Sequence, residues 1–222
     1  MTGPVGRPAN GSVYPFPHRG GGDDETVFAE VVRSTAEKAH EALDLRVRVL
    51  RELGPRLSAC ADAMTAAFRG GGRLFAFGNG GSSTDAQAVA QLFLAPRRAG
   101  RPLPAVTLTG DVALLTALGN DVGFEVIFAR QIAALGAPGD IAVGLSTSGG
   151  SANVVLGLEE ASRRGMVTVG LAGSGGGRMA EAGVTGHLLV VPSASVHRVQ
   201  EAQTTMCHVL WELVQRSLAE PT

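Results

Sequence analysis

The chain has 222 residues, enough for one sizeable hydrophobic core and thin for two. Apolar residues make up 45% and charged residues 18%, with a mean hydropathy of +0.17, which excludes a disordered polyelectrolyte and a highly charged coiled coil. The 19 Lys and Arg against 20 Asp and Glu leave a net charge of −1, so no basic field is available to attract a nucleic acid or an anionic membrane.

Residues 1–25 are rich in Gly and Pro, and Tyr14-Pro15-Phe16-Pro17 cannot propagate a helix. A flexible N-terminal tail is expected there, followed by a single domain over 26–222. The start lacks the apolar core of a secretory signal, and no apolar stretch approaches the roughly 18–20 residues that span a bilayer. A cytoplasmic location is the expectation, and it suits Cys60 and Cys207, which are too far apart for a CxxC motif and read as buried small hydrophobes in a reducing compartment.

From residue 26 to about 51, Val27, Val31, Ala36, Ala39, Leu43, Val47 and Leu50 recur at helical spacing, and a second helix is expected over 55–68. Beyond Gly70 the pattern changes to short β-prone runs at 74–77, 105–108, 141–145, 167–171 and 188–191. Between and after them lie helical segments at about 83–94, 111–118, 125–135 and 152–164, a short one near Met179, and a last one at 195–218. Strand–helix alternation of this kind specifies an α/β fold, a parallel sheet covered on both faces. Ligands of such sheets sit where the strand-to-helix loops gather, at the carboxyl ends of the strands.

Two of those loops carry the chemistry. After the first strand comes Gly78-Asn79-Gly80-Gly81-Ser82-Ser83, and after the third comes Ser146-Thr147-Ser148-Gly149-Gly150-Ser151, each opening a helix. Glycine allows close backbone approach, hydroxyls add donors, and the free N–H groups of the next helix favour an anion. Ser146, Thr147, Ser148 and Ser151 suit the three oxygens of a terminal phosphate; the competing reading is that they only cap a helix. No Lys follows the glycines as in a Walker loop, and 78–83 reads GxGxxS, so a nucleoside triphosphate or dinucleotide is disfavoured. The third cluster, Gly173-Ser174-Gly175-Gly176-Gly177, reads as a flexible strand-to-helix turn.

The segments Gly78-Asn79-Gly80-Gly81-Ser82, Ser146-Thr147-Ser148-Gly149 through Asn153, Asn120-Asp121-Val122-Gly123-Phe124, Gly139-Asp140 and Arg198-Val199-Gln200-Glu201 resemble sugar isomerase (SIS) domains of the phosphoheptose isomerase branch. The resemblance runs in order from about residue 26 to 218. It implies a three-layer, flavodoxin-like sandwich with a five-stranded parallel sheet preceded by N-terminal helices, a homo-oligomer, tetrameric in the family, and sedoheptulose 7-phosphate as substrate. Carried over by position, Ser146, Thr147, Ser148 and Ser151 hold the phosphate with Ser82 beside them, Asn79 and Asp121 face sugar hydroxyls, and Gln200 and His208 complete the polar end, His208 being the catalytic candidate and Gln200 its support.

The sequence departs from this pattern at the helix after the first loop. Ketose–aldose isomerisation needs a base at carbon and an acid to serve the oxygens. The family supplies a His and, four residues later, a Glu, where this chain has Ala88 and Leu92. Some members bind zinc through that His and Glu with the Gln and His of the last helix; with two of those positions apolar, no metal and no other cofactor is expected here. Gln91 does not titrate in the useful range, and Glu201, Asp121 and Glu125 read as structural or subunit-contact residues, although an interface can bring one of them to the site. Two functions therefore stay open: a ketose–aldose sugar-phosphate isomerase, formally an intramolecular oxidoreductase, and a non-catalytic module that binds a sugar phosphate or a partner protein for regulation.

Overall fold

The β-prone runs form five strands: β1 (Leu74–Gly78), β2 (Ala105–Thr107), β3 (Ile141–Ser146), β4 (Val167–Gly173) and β5 (His187–Val191). All pair in parallel in the order β2-β1-β3-β4-β5. Their registers leave every residue of β1 and β3 buried, as expected for a sheet covered on both sides. The computed structural model describes residues 24–96 and 100–220. The tail expected over 1–25 lies outside these but for its last two residues.

The helices are α1 (Asp24–Arg69), α2 (Gly81–Leu94), α3 (Val112–Asp121), α4 (Ile127–Leu135), α5 (Ala152–Arg163), α6 (Gly177–Ala182) and α7 (Val196–Ala219), with a 3-10 turn at Phe124–Val126. The chain divides into two compact units, Met1–His40 and Glu41–Thr222. In the first, the described residues are helical and leave Val27, Phe28, Val31 and Val32 at least half exposed.

The two helices expected before the sheet are a single one, which runs through Pro55. Proline removes one helical N–H and crowds the preceding turn. Here Leu45 and Val49 before it and Leu57, Cys60, Ala61 and Met64 after it belong to one buried cluster, and that shared burial keeps both sides in one helix.

Strand alternation divides the core in two. Leu74 and Ala76 join Ile141, Val143 and Leu145 under α1, α2 and α7, while Phe75 and Phe77 turn the other way onto Ile127, Phe128 and Ile132 of α4 and Val154 and Leu158 of α5. The Phe77 and Phe128 rings lie 5.1 Å apart between centroids. At the amino ends of the strands, buried Asp140 accepts from the Arg73 backbone N–H at 2.7 Å, from Arg73 Nη2 at 2.8 Å and from the Ala137 N–H at 2.9 Å. Burial alone would raise its pKa, but these donors outweigh it and hold the carboxyl below its ordinary value. Among the described residues, no helix is long and apolar enough to cross a membrane.

Candidate functional site

From β1 the chain turns toward β2, and from β3 it proceeds in the other direction across the sheet, so the strand order reverses between β1 and β3. Open α/β sheets bind ligands at this reversal, outside the carboxyl ends of the strands. Both glycine- and hydroxyl-rich loops meet there. Asn79, after β1, and Asn153, in the first turn of α5, exchange a pair of amide hydrogen bonds of 2.7 and 2.9 Å.

Within the second loop, Ser146 Oγ lies 3.0 Å from Ser151 Oγ and 3.4 Å from Ser148 Oγ. Ser148 also accepts from the Gly150 N–H at 3.1 Å. Ser151 is the N-cap residue of α5, yet its side chain makes no capping bond. The hydroxyl turns instead toward Ser146, which argues against the helix-capping explanation of this loop. Three hydroxyls thus converge at the start of a helix whose first N–H groups have no intrahelical acceptor, a setting for an anion without a cation. Thr147 is partly exposed beside them, and Ser82 is buried at the start of α2.

The third glycine cluster is not a free turn. A Cβ at Gly149, where φ is +65°, would lie 2.0 Å from the Gly176 carbonyl oxygen, and one at Gly177 would lie 2.5 Å from that of Ser148. The Met179 N–H donates to Gly149 O at 2.9 Å. Only residues without side chains permit this backbone-to-backbone contact, so the β4–α6 loop buttresses the serine loop.

Gln200, Thr204 and His208 share one face of α7. Thr204 Oγ1 donates to Gln200 O at 3.0 Å, and His208 Nδ1 lies 2.9 Å from Thr204 O. Because a carbonyl can only accept, Nδ1 carries the proton, and Nε2 is left to exchange one with a ligand. Gln200 reaches across to α2: its Nε2 donates to Asp85 Oδ2 at 3.0 Å, and its amide occupies the space a Cβ at Gly81 would need. Asp85, Ala88 and Leu92 of α2 face Thr204, Cys207 and His208 of α7 across a small cavity, at which Thr204 and His208 are exposed.

Asp85 is the residue that sequence reasoning passed over. Its spacing to Ala88 and Leu92, i, i+3 and i+7, already put the three on one helical face. Burial raises its pKa, partly offset by the Gln200 bond. The thiol of Cys207 is pushed up to about 12 by burial, with the Asp85 and Cys60 charges adding to the shift, so it stays protonated.

The remaining candidates stand apart. Asp121 ends α3, exposed, and accepts from Asn120 Nδ2 at 2.7 Å; among the described residues no hydrogen bond joins it to the loops. Glu201 pairs with Arg198 at 2.9 Å and with Arg46 at 4.0 Å. Glu125 is exposed in the 3-10 turn.

A SIS-domain family model matches residues 39–173. The phosphoheptose isomerase of Roseiflexus sp. (strain RS-1) is 41% identical over 192 residues, 85% of this chain and 95% of the relative, and that of Aquifex aeolicus is 40% identical over 181 residues, 81% and 94% of the two chains. The chain belongs to the SIS-domain family, in its phosphoheptose isomerase branch. Among solved structures, the phosphoheptose isomerase of Neisseria gonorrhoeae superposes with a TM-score of 0.78 at 34% identity, over 84% of this chain and 99% of that one. That of Francisella tularensis gives 0.79 at 33% identity, over 84% and 98%. Both the fold and the family expected from the sequence are therefore found.

Within this SIS domain the zinc set used by some members does not fit the residues present. Ala88 and Leu92 have no donor atoms, and Gln200 is turned onto Asp85. Among the described residues no group of three His, Cys, Asp or Glu side chains is placed to hold a metal.

Proposed function

We propose that this SIS domain binds a sugar phosphate at the reversal between β1 and β3 and interconverts the ketose sedoheptulose 7-phosphate with its aldose through an enediol. The observation that carries the reading is the convergence of Ser146, Ser148 and Ser151 over the start of α5, with the Ser151 side chain free of any capping bond. Those three and Thr147 take the phosphate, with Ser82 alongside. Asn79 addresses the sugar hydroxyls, and His208, supported by Gln200, exchanges protons with the sugar oxygens. No cofactor enters the proposal.

The protein is further proposed to work as a homo-oligomer, a tetramer as in its branch. No residue of α3 is buried, and Val112, Leu114, Val122 and Phe124 are exposed along and just beyond it. A second copy covering this apolar stretch would carry Asp121 toward a neighbouring site. Two free buried cysteines fit a cytoplasmic location, and residues 26–222 are taken as one functional domain behind a tail.

The test is calorimetric titration with sedoheptulose 7-phosphate and with unphosphorylated sedoheptulose, followed by separation of ketose from aldose after incubation. Phosphate-dependent binding with aldose formation supports the isomerase. Phosphate-dependent binding without aldose would favour the regulatory module that Ala88 and Leu92 would also suit, and no binding would overturn both.

A further inference from the structure

We propose that Asp85 is the base of this site, the carboxylate that removes and returns the carbon-bound proton; this rests on the isomerase reading above. The isomerisation needs two placed titratable groups, and His208 supplies one. Asp85 is the carboxylate that lines the same cavity, one turn before Ala88 and two before Leu92 on the same face of α2. The competing carboxylates are committed or distant: Glu201 to Arg198 and Arg46, Asp121 to Asn120, and Asp140 to Arg73 at the opposite ends of the strands.

The local hydrogen bonding suits the role. Gln200 Nε2 fixes Oδ2 at 3.0 Å, and among the described residues no donor reaches Oδ1. One oxygen is thus held in place while the other keeps its lone pairs for a substrate. The amide of Gln200 is itself packed against Gly81, so the carboxylate is oriented from the start of α2.

In the step this implies, Asp85 takes the C1 proton of the ketose. The C1–H electron pair forms the C1=C2 bond, and the C2 oxygen takes up the negative charge of the enediolate. Nε2 of His208, whose ring proton sits on Nδ1, takes the O1 proton and passes it to O2; C1=O then forms, and the C1=C2 electron pair takes up at C2 the proton held by Asp85. Both side chains end in the state in which they began, and no oxidant or reductant is consumed.

Asp85→Asn separates a base from an anchor, because the Asn carbonyl still accepts from Gln200 but removes no proton. Incubation of wild type, Asp85→Asn and Asp85→Glu with sedoheptulose 7-phosphate in D₂O, read by mass spectrometry of the recovered sugar, follows solvent exchange at carbon. The expected result is exchange in the wild type, a fall in kcat of about 100-fold or more in Asp85→Asn with KM and melting temperature retained, and partial recovery in Asp85→Glu. Undiminished exchange in Asp85→Asn would overturn the assignment of Asp85 alone. A wild type that binds the sugar phosphate without exchange would overturn the isomerase reading and Asp85 with it.

Discussion

Asn79 and Asn153 bind each other reciprocally, Nδ2 to Oδ1 in both directions at 2.7 and 2.9 Å, joining the loop after β1 to the first turn of α5. One amide comes from each side of the strand reversal, so the pair sets the relative position of the two loops. Asn153 is 3% exposed, and its loss removes both of the side-chain hydrogen bonds that Asn79 makes among the described residues. Asn153→Ala is expected to destabilise the fold by about 1–3 kcal/mol and to weaken sugar-phosphate binding as well. Denaturant unfolding and calorimetry on the same variant check both parts.

Ser148 is exposed and makes only local contacts, to Ser146 and the Gly150 N–H. Ser148→Ala should leave the melting temperature unchanged and lower sugar-phosphate affinity by about tenfold, the effect of one hydrogen bond to a charged ligand. Calorimetry with inorganic phosphate and with sedoheptulose 7-phosphate measures it, and unchanged affinity for both would remove this serine from the site.

Asp140 ties the amino ends of β1 and β3 through Arg73 and the Ala137 N–H. Its carboxyl is held below the ordinary 3.8 in the folded chain. A depressed folded-state pKa contributes stability that is fully present above the unfolded value and is lost as pH falls through the folded one. Wild-type stability should therefore drop as pH falls below about 3.8, and Asp140→Asn should be less stable at neutral pH by about 2 kcal/mol with a shallower acid limb. Urea unfolding from neutral to acid pH gives both curves.

Leu92 lies two turns beyond Asp85 and lines the same cavity. If the site lacks only a second carboxylate, Leu92→Glu placed in the Asp85→Asn background should restore measurable solvent exchange, and Ala88→His with Leu92→Glu in the wild type should raise turnover. Exchange and turnover assays on folded variants read the result; no gain in either would mean that the geometry of the site, and not its missing groups, limits the chemistry.

The strands, their loops and the family were legible because short β-prone apolar runs and glycine-serine turns are local signals. The buried registers of β1 and β3 and the loop at residues 146–151 follow directly from them. What was not legible depends on contacts distant in sequence. Asp85 gains its meaning from Gln200, 115 residues away, and alone reads as an ordinary acidic residue near a helix start. The glycines after β4 looked like a flexible turn because nothing local shows that Gly149 needs their bare backbone beside it. Pro55 predicted a break that shared burial on both sides overrides. The helix expected at about 111–118 is α3, but nothing local shows that none of its apolar residues is buried within this chain.

The most direct test of the isomerase is the proton NMR spectrum of sedoheptulose 7-phosphate with the wild-type protein in D₂O. The account predicts loss of a C1 proton signal to deuterium and the growth of aldose signals, both absent from a His208→Ala control. Saturable line broadening with the C1 protons intact and no aldose would contradict it and leave a protein that holds the sugar phosphate without transforming it.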